Sequence, residues 1–389
     1  MKKYFLAAAT AVGVLSGSAA IAEPVKIGML ITLSGPPAVL GKQLRDGFQL
    51  AMERLDGKLG GKDTELIIED DELKPDVAIS KAKSLVGRDK VDFVVGTVFS
   101  NMLAAVFKPI IKSNTFLISP NAGPSVFAGK NCNPLLFVTS FQNDQNFEVL
   151  GKHAEQQGFK SVFLLAPNYQ AGKDAVNGFK RQFSGKIVDT VFTQLGQKDY
   201  SAEIAKLAAA KPDALFTFMP GGMGVRFVKQ FRAAGLADKM TFLSAFTVDE
   251  ATLPAQKDAA LGFFGGASWA PNMKTPGNAE FVSAFEGKYG YVPSVYAMQG
   301  YDTAMLLDSV IRKVGDNLSD KKAVRNAIRA ADFKSLRGNF KFNTNQFPVQ
   351  DYYLMKVAKR ADGKFQTEIE KKIFSAAGDF YAKDCKMSW

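Results

Sequence analysis

The sequence predicts an α/β protein made of two doubly wound lobes, each with a parallel sheet covered by helices. Two observations support this fold class. Short apolar runs alternate with helical hydrophobic periods from residue 23 onward, and this rhythm restarts once, near residue 142. The chain has 389 residues, which is too long for one simple core and favours two domains.

Residues 1–22 have the features of a secretory signal peptide. Two lysines precede an apolar run over residues 4–15, and Ala20-Ile21-Ala22 fits a cleavage site. The alternative, a membrane anchor, is disfavoured because the apolar run is too short to span a bilayer. We therefore expect export, with cleavage after Ala22.

The first lobe begins with alternating strands and helices. The helix over residues 43–55, for example, carries Leu44, Phe48 and Ala51 on one stripe. Strands are predicted over residues 25–33, 65–69, 91–95, 115–119 and 136–141, and helices over 43–55, 77–86, 102–112 and 147–156. Such βαβ units pack as parallel strands.

The second half repeats the alternation and then ends differently. Asp362-Gly363 has the composition of a β-hairpin turn, so residues 338–374 are expected to form strands. Strands are predicted over residues 162–166, 187–193, 214–219 and 241–246, and helices over 174–183, 200–209, 225–234, 279–289, 296–314 and 320–330.

The distribution of charge and the two cysteines argue against nucleic acid and metal ions as partners. The formal charge is +11, but the basic residues are spread along helices such as 321–329 instead of forming one block. This pattern favours a solvated basic surface over nucleic-acid binding. Cys132 and Cys385 fit no metal motif, and an even count in an exported protein favours a disulfide between them.

No constellation typical of an enzyme is present. The single histidine, His153, is predicted to lie on a helix surface, without a nucleophile or a second histidine nearby. Four acidic residues at 69–72 lack the spacing of a calcium loop and are interpreted as a solvated loop, with a divalent-ion site as the alternative. The glycines at 221–224 are not followed by the Lys-Ser/Thr of a P-loop.

Loops with small polar and aromatic residues follow most of the predicted strands. Ligands of open parallel sheets bind outside the carboxyl ends of the strands, so we expect a small-ligand cleft there. The loops span residues 34–41, 97–101, 120–124, 168–172, 220–222 and 246–249, and the second of them contains Phe99 and Ser100. Ser100 begins a predicted helix, where a hydroxyl and free N–H groups can hold a carboxylate.

An ordered series of short motifs runs through nearly all of the chain after residue 22. The series is Ile27-Gly28, Ser34-Gly35-Pro36, Gly41, Val94-Val95-Gly96, Ile118-Ser119-Pro120-Asn121-Ala122, Tyr169-Gln170-Ala171-Gly172, Asp199-Tyr200-Ser201, Lys211-Pro212-Asp213 and Gly300-Tyr301-Asp302. In this order the motifs resemble the periplasmic leucine/isoleucine/valine-binding family, the type I solute-binding proteins of ABC importers.

The resemblance implies two lobes that close over a ligand, a membrane permease as partner, a periplasmic location, a monomer, and neither cofactor nor catalysis. It places three crossings between the lobes near residues 139–143, 265–270 and 345–351. The N-terminal lobe is then expected to comprise residues 23–140 and 270–347, and the C-terminal lobe residues 141–269 and 348–389.

The resemblance also implies site residues. The family's carboxylate grip corresponds to Ser100 and the turn of Asn121, Ala122 and Gly123, where Gly123 replaces a usual Thr. The aromatic wall corresponds to three residues, Leu40, Tyr169 and Tyr296, of which Leu40 replaces a usual aromatic residue. Two further departures are Gly221, where a Tyr is common, and Phe246, where amino-acid binders have an acid.

The change at Phe246 bears on the ligand. A buried ammonium group without a counter-charge costs several kcal/mol, whereas a Phe offers a flat apolar slot. We therefore expect a small carboxylate, most of all an aromatic acid of the benzoate or phenylpropenoid type. The alternative ligand is a branched-chain or other amino acid; Phe246 would then belong to the core, and Asp249 or Glu250 would serve as the acid. Two alternative functions are a ligand-sensing partner of a receptor and a hydrolase.

Overall fold

A computed structural model describes residues 23–387, and the predicted signal peptide lies outside these residues. Two sheets with helices packed on them form two lobes. The strands are β1 (Val25–Ile31), β2 (Lys58–Leu59), β3 (Lys62–Asp70), β4 (Phe93–Gly96), β5 (Phe116–Ser119), β6 (Leu136–Val138), β7 (Ser161–Pro167), β8 (Lys186–Thr193), β9 (Ala214–Thr217), β10 (Thr241–Ser244), β11 (Phe264–Ala267), β12 (Lys341–Phe342), β13 (Pro348–Lys359) and β14 (Phe365–Ala377).

Eleven α-helices lie within the described residues. They are α1 (Ala38–Arg54), α2 (Pro75–Gly87), α3 (Ser100–Lys112), α4 (Asn143–Gln156), α5 (Gln170–Gln182), α6 (Ser201–Ala210), α7 (Gly222–Ala233), α8 (Leu253–Gln256), α9 (Asn278–Tyr289), α10 (Val295–Val314) and α11 (Lys321–Ala330). None of these helices combines the length and the apolar character that crossing a bilayer requires.

Five strands have the same order in both lobes: β3-β1-β4-β5-β6 of the first sheet corresponds to β8-β7-β9-β10-β11 of the second. The first sheet has the order β2-β3-β1-β4-β5-β6, and the second has β12-β13-β11-β10-β9-β7-β8, with β14 paired to β13. Apart from the hairpin strands β2, β12, β13 and β14, all pairings are parallel. In each lobe the strand order reverses beside the first strand, β1 or β7. Doubly wound sheets bind ligands at this point.

The chain passes between the lobes three times. It leaves the first sheet after β6, returns after β11 so that α10 packs against α1, and enters the second sheet again at β13. The backbone N–H of Ser294 donates to Gln43 Oε1 over 2.8 Å, which joins α10 to α1.

The two lobes predicted from the alternation are thus present. The short strand β12, which the predicted boundaries place with the first lobe, pairs with β13 of the second sheet.

Two predictions about polar residues are wrong. His153 does not lie on the surface: only 4% of it is exposed, and its ring lies 5.0 Å from that of Phe264 because α4 packs against β11. This burial lowers the pKa of His153 to about 4. Asp71 is not in a solvated loop either, since its buried carboxylate accepts from Thr32 Oγ1 over 2.6 Å and fixes the end of β3 beside β1.

A disulfide joins Cys132, in the loop before β6, to Cys385, in the tail that follows β14. The predicted pairing is therefore present in the structure, with Cα atoms 5.7 Å apart. The bond ties the end of the second lobe to a loop of the first. It closes a loop with a sequence separation of 253 residues.

Replacing both cysteines with serine is expected to lower the free energy of unfolding by up to about 5 kcal/mol, because the bond restricts the unfolded chain. Urea unfolding of the variant and of the wild type measures this difference. Reduced wild-type protein is the control and should match the variant. Thiol titration of the denatured, unreduced wild type should find no reactive cysteine, and two reactive thiols would contradict the pairing.

Candidate functional site: an aromatic cavity between the lobes

A narrow cavity lies between the lobes, at the carboxyl ends of both parallel sheets. The wall consists of Leu40, Val98, Phe99, Ser100, Asn121, Ala122, Phe141, Asn143, Phe147, Tyr169, Ala171, Phe218, Pro220, Phe246 and Tyr296. No side chain in this wall carries a formal charge at neutral pH.

Seven aromatic rings, contributed by both lobes, line the wall. The ring of Phe246 lies 5.1 Å from that of Phe141 and 6.0 Å from that of Tyr296, measured between centroids. The ring of Tyr169 lies 6.2 Å from that of Phe218, with 21° between the planes. Because such rings present flat apolar faces, they suit a planar apolar guest.

The polar end of the cavity is centred on Ser100, which is 2% exposed. Ser100 is the first residue of α3, so its N–H group and that of the next residue have no partner within the helix. Its Oγ accepts a hydrogen bond from Asn143 Nδ2 over 3.1 Å, which leaves the hydroxyl hydrogen free to donate. Asn143 Nδ2 is held in turn by Asp174 Oδ2 at 2.8 Å.

The turn after β5 contributes less to the carboxylate grip than predicted. The backbone N–H of Ala122 already donates to Thr97 O over 3.2 Å, and that of Gly123 donates to Asn143 Oδ1 over 3.1 Å. Asn121 Nδ2 donates to Val98 O over 2.6 Å. These bonds position the turn beside Ser100, and they leave Ser100 and the start of α3 as the free donors.

Two of the predicted site residues, Gly123 and Gly221, do not line the cavity. A Cβ atom at Gly123 would lie 1.9 Å from Phe141 O, so the usual Thr has no room here. Gly221 has a φ of 64° and a ψ of −136°, a conformation that favours glycine. A Cβ there would lie 3.3 Å from Pro37 Cα of the other lobe, so Gly221 allows the lobes to approach closely.

The other eight predicted residues all border the cavity, and their elements explain why. Leu40 lies in the first turn of α1, Tyr169 directly precedes α5, and Tyr296 lies in the first turn of α10. Ser294 caps α10 by accepting from the N–H of Tyr296 over 3.2 Å. Whether these residues contact a ligand stays a prediction. The remaining predicted wall residues are Phe99, Ser100, Asn121, Ala122 and Phe246.

Neither of the acids considered as substitutes at Phe246 reaches the wall. Glu250 is buried, and its Oε1 accepts from the N–H and the Oγ1 of Thr367, each over 2.7 Å. Asp249 is also buried and lies outside the residues that line the cavity. Burial raises the pKa of the Tyr169 and Tyr296 hydroxyls, so both stay protonated and neutral.

Some wall residues were not predicted. Phe141, Phe147 and Phe218 come from three separate segments and meet only in the folded chain. Asn143 was interpreted as part of a crossing, although Gln142 and Gln145 form a capping box at the start of α4. Because Gln is not among the preferred N-cap residues, this box is visible only in the structure.

Comparisons with known proteins agree with this geometry. The sequence matches the family described as periplasmic binding protein over residues 24–364. The Leu/Ile/Val-binding protein homolog 6 of Brucella melitensis biotype 1 is 29% identical, covering 97% of this chain and 98% of its own.

Two solved structures are also similar. A solute-binding protein of an R. palustris ABC transporter, in complex with benzoate, is 30% identical and superposes with a TM-score of 0.88, over 94% of this chain and all (100%) of the other. A second, from Rhodopseudomonas palustris BisB5 in complex with 3,4-dihydroxy benzoic acid, is 29% identical with a TM-score of 0.84, over 92% of this chain and 99% of the other.

The fold and the cavity between the lobes are those of a solute-binding protein of an ABC transporter, and the family match covers most of the chain. The chain therefore belongs to the periplasmic binding protein family, as a type I protein of the leucine/isoleucine/valine-binding group.

Proposed function

We propose that this protein captures a small aromatic carboxylate in the periplasm and delivers it to the permease of an ABC importer, after a signal peptide is cleaved behind Ala22. It acts as a monomer without a cofactor. The observation that carries the proposal is the uncharged aromatic cavity. Phe246 lies in its wall, and the family resemblance implies that amino-acid binders have an acid at this position. An amino acid would bury its ammonium group without a counter-charge, at a cost of several kcal/mol.

One end of the cavity suits a carboxylate. The hydroxyl of Ser100 and the first N–H groups of α3 are free, and the positive end of the helix dipole favours an anion. The wall also contains the rings of Phe246 and Tyr296, which are aromatic and lie 6.0 Å apart. A benzoate-type ligand satisfies the polar end and the aromatic wall at once.

The relatives support this ligand class in part. The two R. palustris proteins were solved with benzoate and with 3,4-dihydroxy benzoic acid. The Brucella relative carries a name that points to branched-chain amino acids. The choice between the two ligand classes therefore depends on the cavity wall, which favours the aromatic acid.

Isothermal titration tests the proposal directly. Mature protein is titrated with benzoate, 4-hydroxybenzoate, 4-hydroxycinnamate and leucine. We expect binding of at least one aromatic acid and no response to leucine. Tight leucine binding without a response to any aromatic acid would refute the ligand assignment.

Ser100→Ala is expected to weaken binding of the best aromatic acid about ten- to a hundredfold, because a hydrogen bond to a charged group contributes about 1.5–3 kcal/mol. Ser113→Ala is the matched control, since Ser113 lies at the other end of α3 and its Oγ donates to Ile110 O. The control should bind like the wild type. Equal affinities for all three proteins would remove Ser100 from the site.

A further inference from the structure

A second narrow cavity lies behind Phe246. Its wall consists of Ala245, Phe246, Val248, Asp249, Glu250, Gly265, Gly266, Ala267, Trp269, Val295, Met355 and Thr367. Phe246 borders both cavities, and Val295 of the second directly precedes Tyr296 of the first. The side chain of Phe246 thus forms part of the partition between the two chambers.

Asp249 supplies an unpaired polar atom to this second cavity. Only 6% of the residue is exposed. Its Oδ1 accepts from the N–H of Ala251 over 2.9 Å, whereas Oδ2 has no hydrogen-bond partner among the described residues. Leaving a buried polar atom unpaired costs free energy, and a guest with a matching group removes that cost.

The surroundings of Asp249 determine what that group is. No lysine, arginine or histidine lines the second cavity, and burial together with the neighbouring Glu250 raises the pKa of Asp249 to about 8. At neutral pH the side chain is therefore mostly a protonated acid, which can both donate and accept. A hydroxyl group, which also does both, is its natural complement.

A guest that reaches from the first cavity into the second has to displace the ring of Phe246. This ring is held by contacts with other rings, namely those of Phe141, Phe147, Phe218 and Tyr296. The backbone of Phe246 has a φ of 62°, which is uncommon for a residue with a bulky side chain. The side chain that separates the two cavities is therefore held by ring contacts, which have no strict directional requirement.

We propose that the second cavity is a subsite for the far end of the ligand, where Asp249 binds a hydroxyl group on the part of the ring most distant from the carboxylate. The ligand class is that of phenolic acids longer than benzoate, with 4-hydroxycinnamate as the probe. The inference rests on the proposed function, and it assigns Asp249 as a specificity-determining residue that lies outside the first cavity.

The test compares pairs of acids that differ by one hydroxyl. Cinnamate and 4-hydroxycinnamate are titrated into the wild type, Asp249→Ala and Asp249→Asn. In the wild type the hydroxyl should strengthen binding about five- to tenfold. Asp249→Ala should lose this gain, so that it binds the two acids with similar affinity, and Asp249→Asn should keep part of it. Asp238→Asn is the control, because this acid is exposed on the second lobe and lines neither cavity.

The outcomes separate the two proposals. If no aromatic acid binds the wild type, the proposed function fails. If the acids bind but the hydroxyl gives no gain, or gives the same gain in Asp249→Ala, the subsite alone is refuted. Leucine binding that is lost in Asp249→Asn would assign Asp249 to an ammonium group instead and would also overturn the subsite.

A second variant covers the case in which Asp249→Ala does not fold. Phe246→Ala removes the partition, so the ratio of the affinity for 4-hydroxycinnamate to that for benzoate should rise at least fivefold. An unchanged or lower ratio would contradict the subsite.

Discussion

Phe246→Glu is expected to abolish binding of aromatic acids, with a loss of a hundredfold or more. The new carboxylate would lie within the wall formed by Phe141, Phe147 and Tyr296, without a cation in that wall to compensate it. It would also share a small cavity with the carboxylate of the ligand, and two like charges in such a site repel each other strongly.

Phe246→Leu is the control for this change. It keeps an apolar side chain of similar volume and loses mainly the ring contacts, which are worth about 0.5–1.5 kcal/mol for an aromatic pair. We expect at most a tenfold loss. Isothermal titration measures both variants, and their melting temperatures show whether they fold. Unchanged aromatic binding by a folded Phe246→Glu would place Phe246 outside the site and would refute the ligand assignment.

Arg337→Met is expected to lower the free energy of unfolding by about 3–5 kcal/mol, because it leaves a buried acid without its partner. Arg337 Nε lies 3.1 Å from Asp302 Oδ2, and both side chains are buried. Arg337 Nη1 also donates to Thr139 O over 2.8 Å and to Gln350 Oε1 over 2.8 Å, where two crossings between the lobes run side by side.

The double variant Arg337→Met with Asp302→Asn separates charge from packing. Removal of both charges should recover more than half of the lost stability, because the uncompensated carboxylate is then gone. Urea unfolding of the wild type, Arg337→Met, Asp302→Asn and the double variant gives the coupling energy between the two charges. A double variant no more stable than Arg337→Met would show that the loss comes from the broken hydrogen bonds to Thr139 and Gln350.

Much of the fold was predictable because each strand or helix has its own hydrophobic period. The predicted and observed element boundaries differ most at the starts of helices. Residues 34–41 were predicted to be a loop because of Pro36 and Pro37, yet α1 begins at Ala38 with Pro37 at its N-cap. His153 was misplaced because a single histidine between Lys152 and Glu155 does not reveal that β11 packs over it.

The site was predictable where it depends on the first residues after strands, as for Ser100 and Tyr169. It was not predictable where side chains from distant segments meet, as for Phe218 and Asn143. The roles of Gly123 and Gly221 also required the structure, because only the packed backbone shows that a side chain has no room there.

The bond between Cys132 and Cys385 makes most of the chain a covalent ring. All three passages between the lobes lie inside this ring, since they follow β6, follow β11 and precede β13. A protease that cuts one peptide bond in any of these passages opens the ring but releases no fragment. The two pieces stay attached until the disulfide is reduced, so a single nick in a crossing does not separate the lobes.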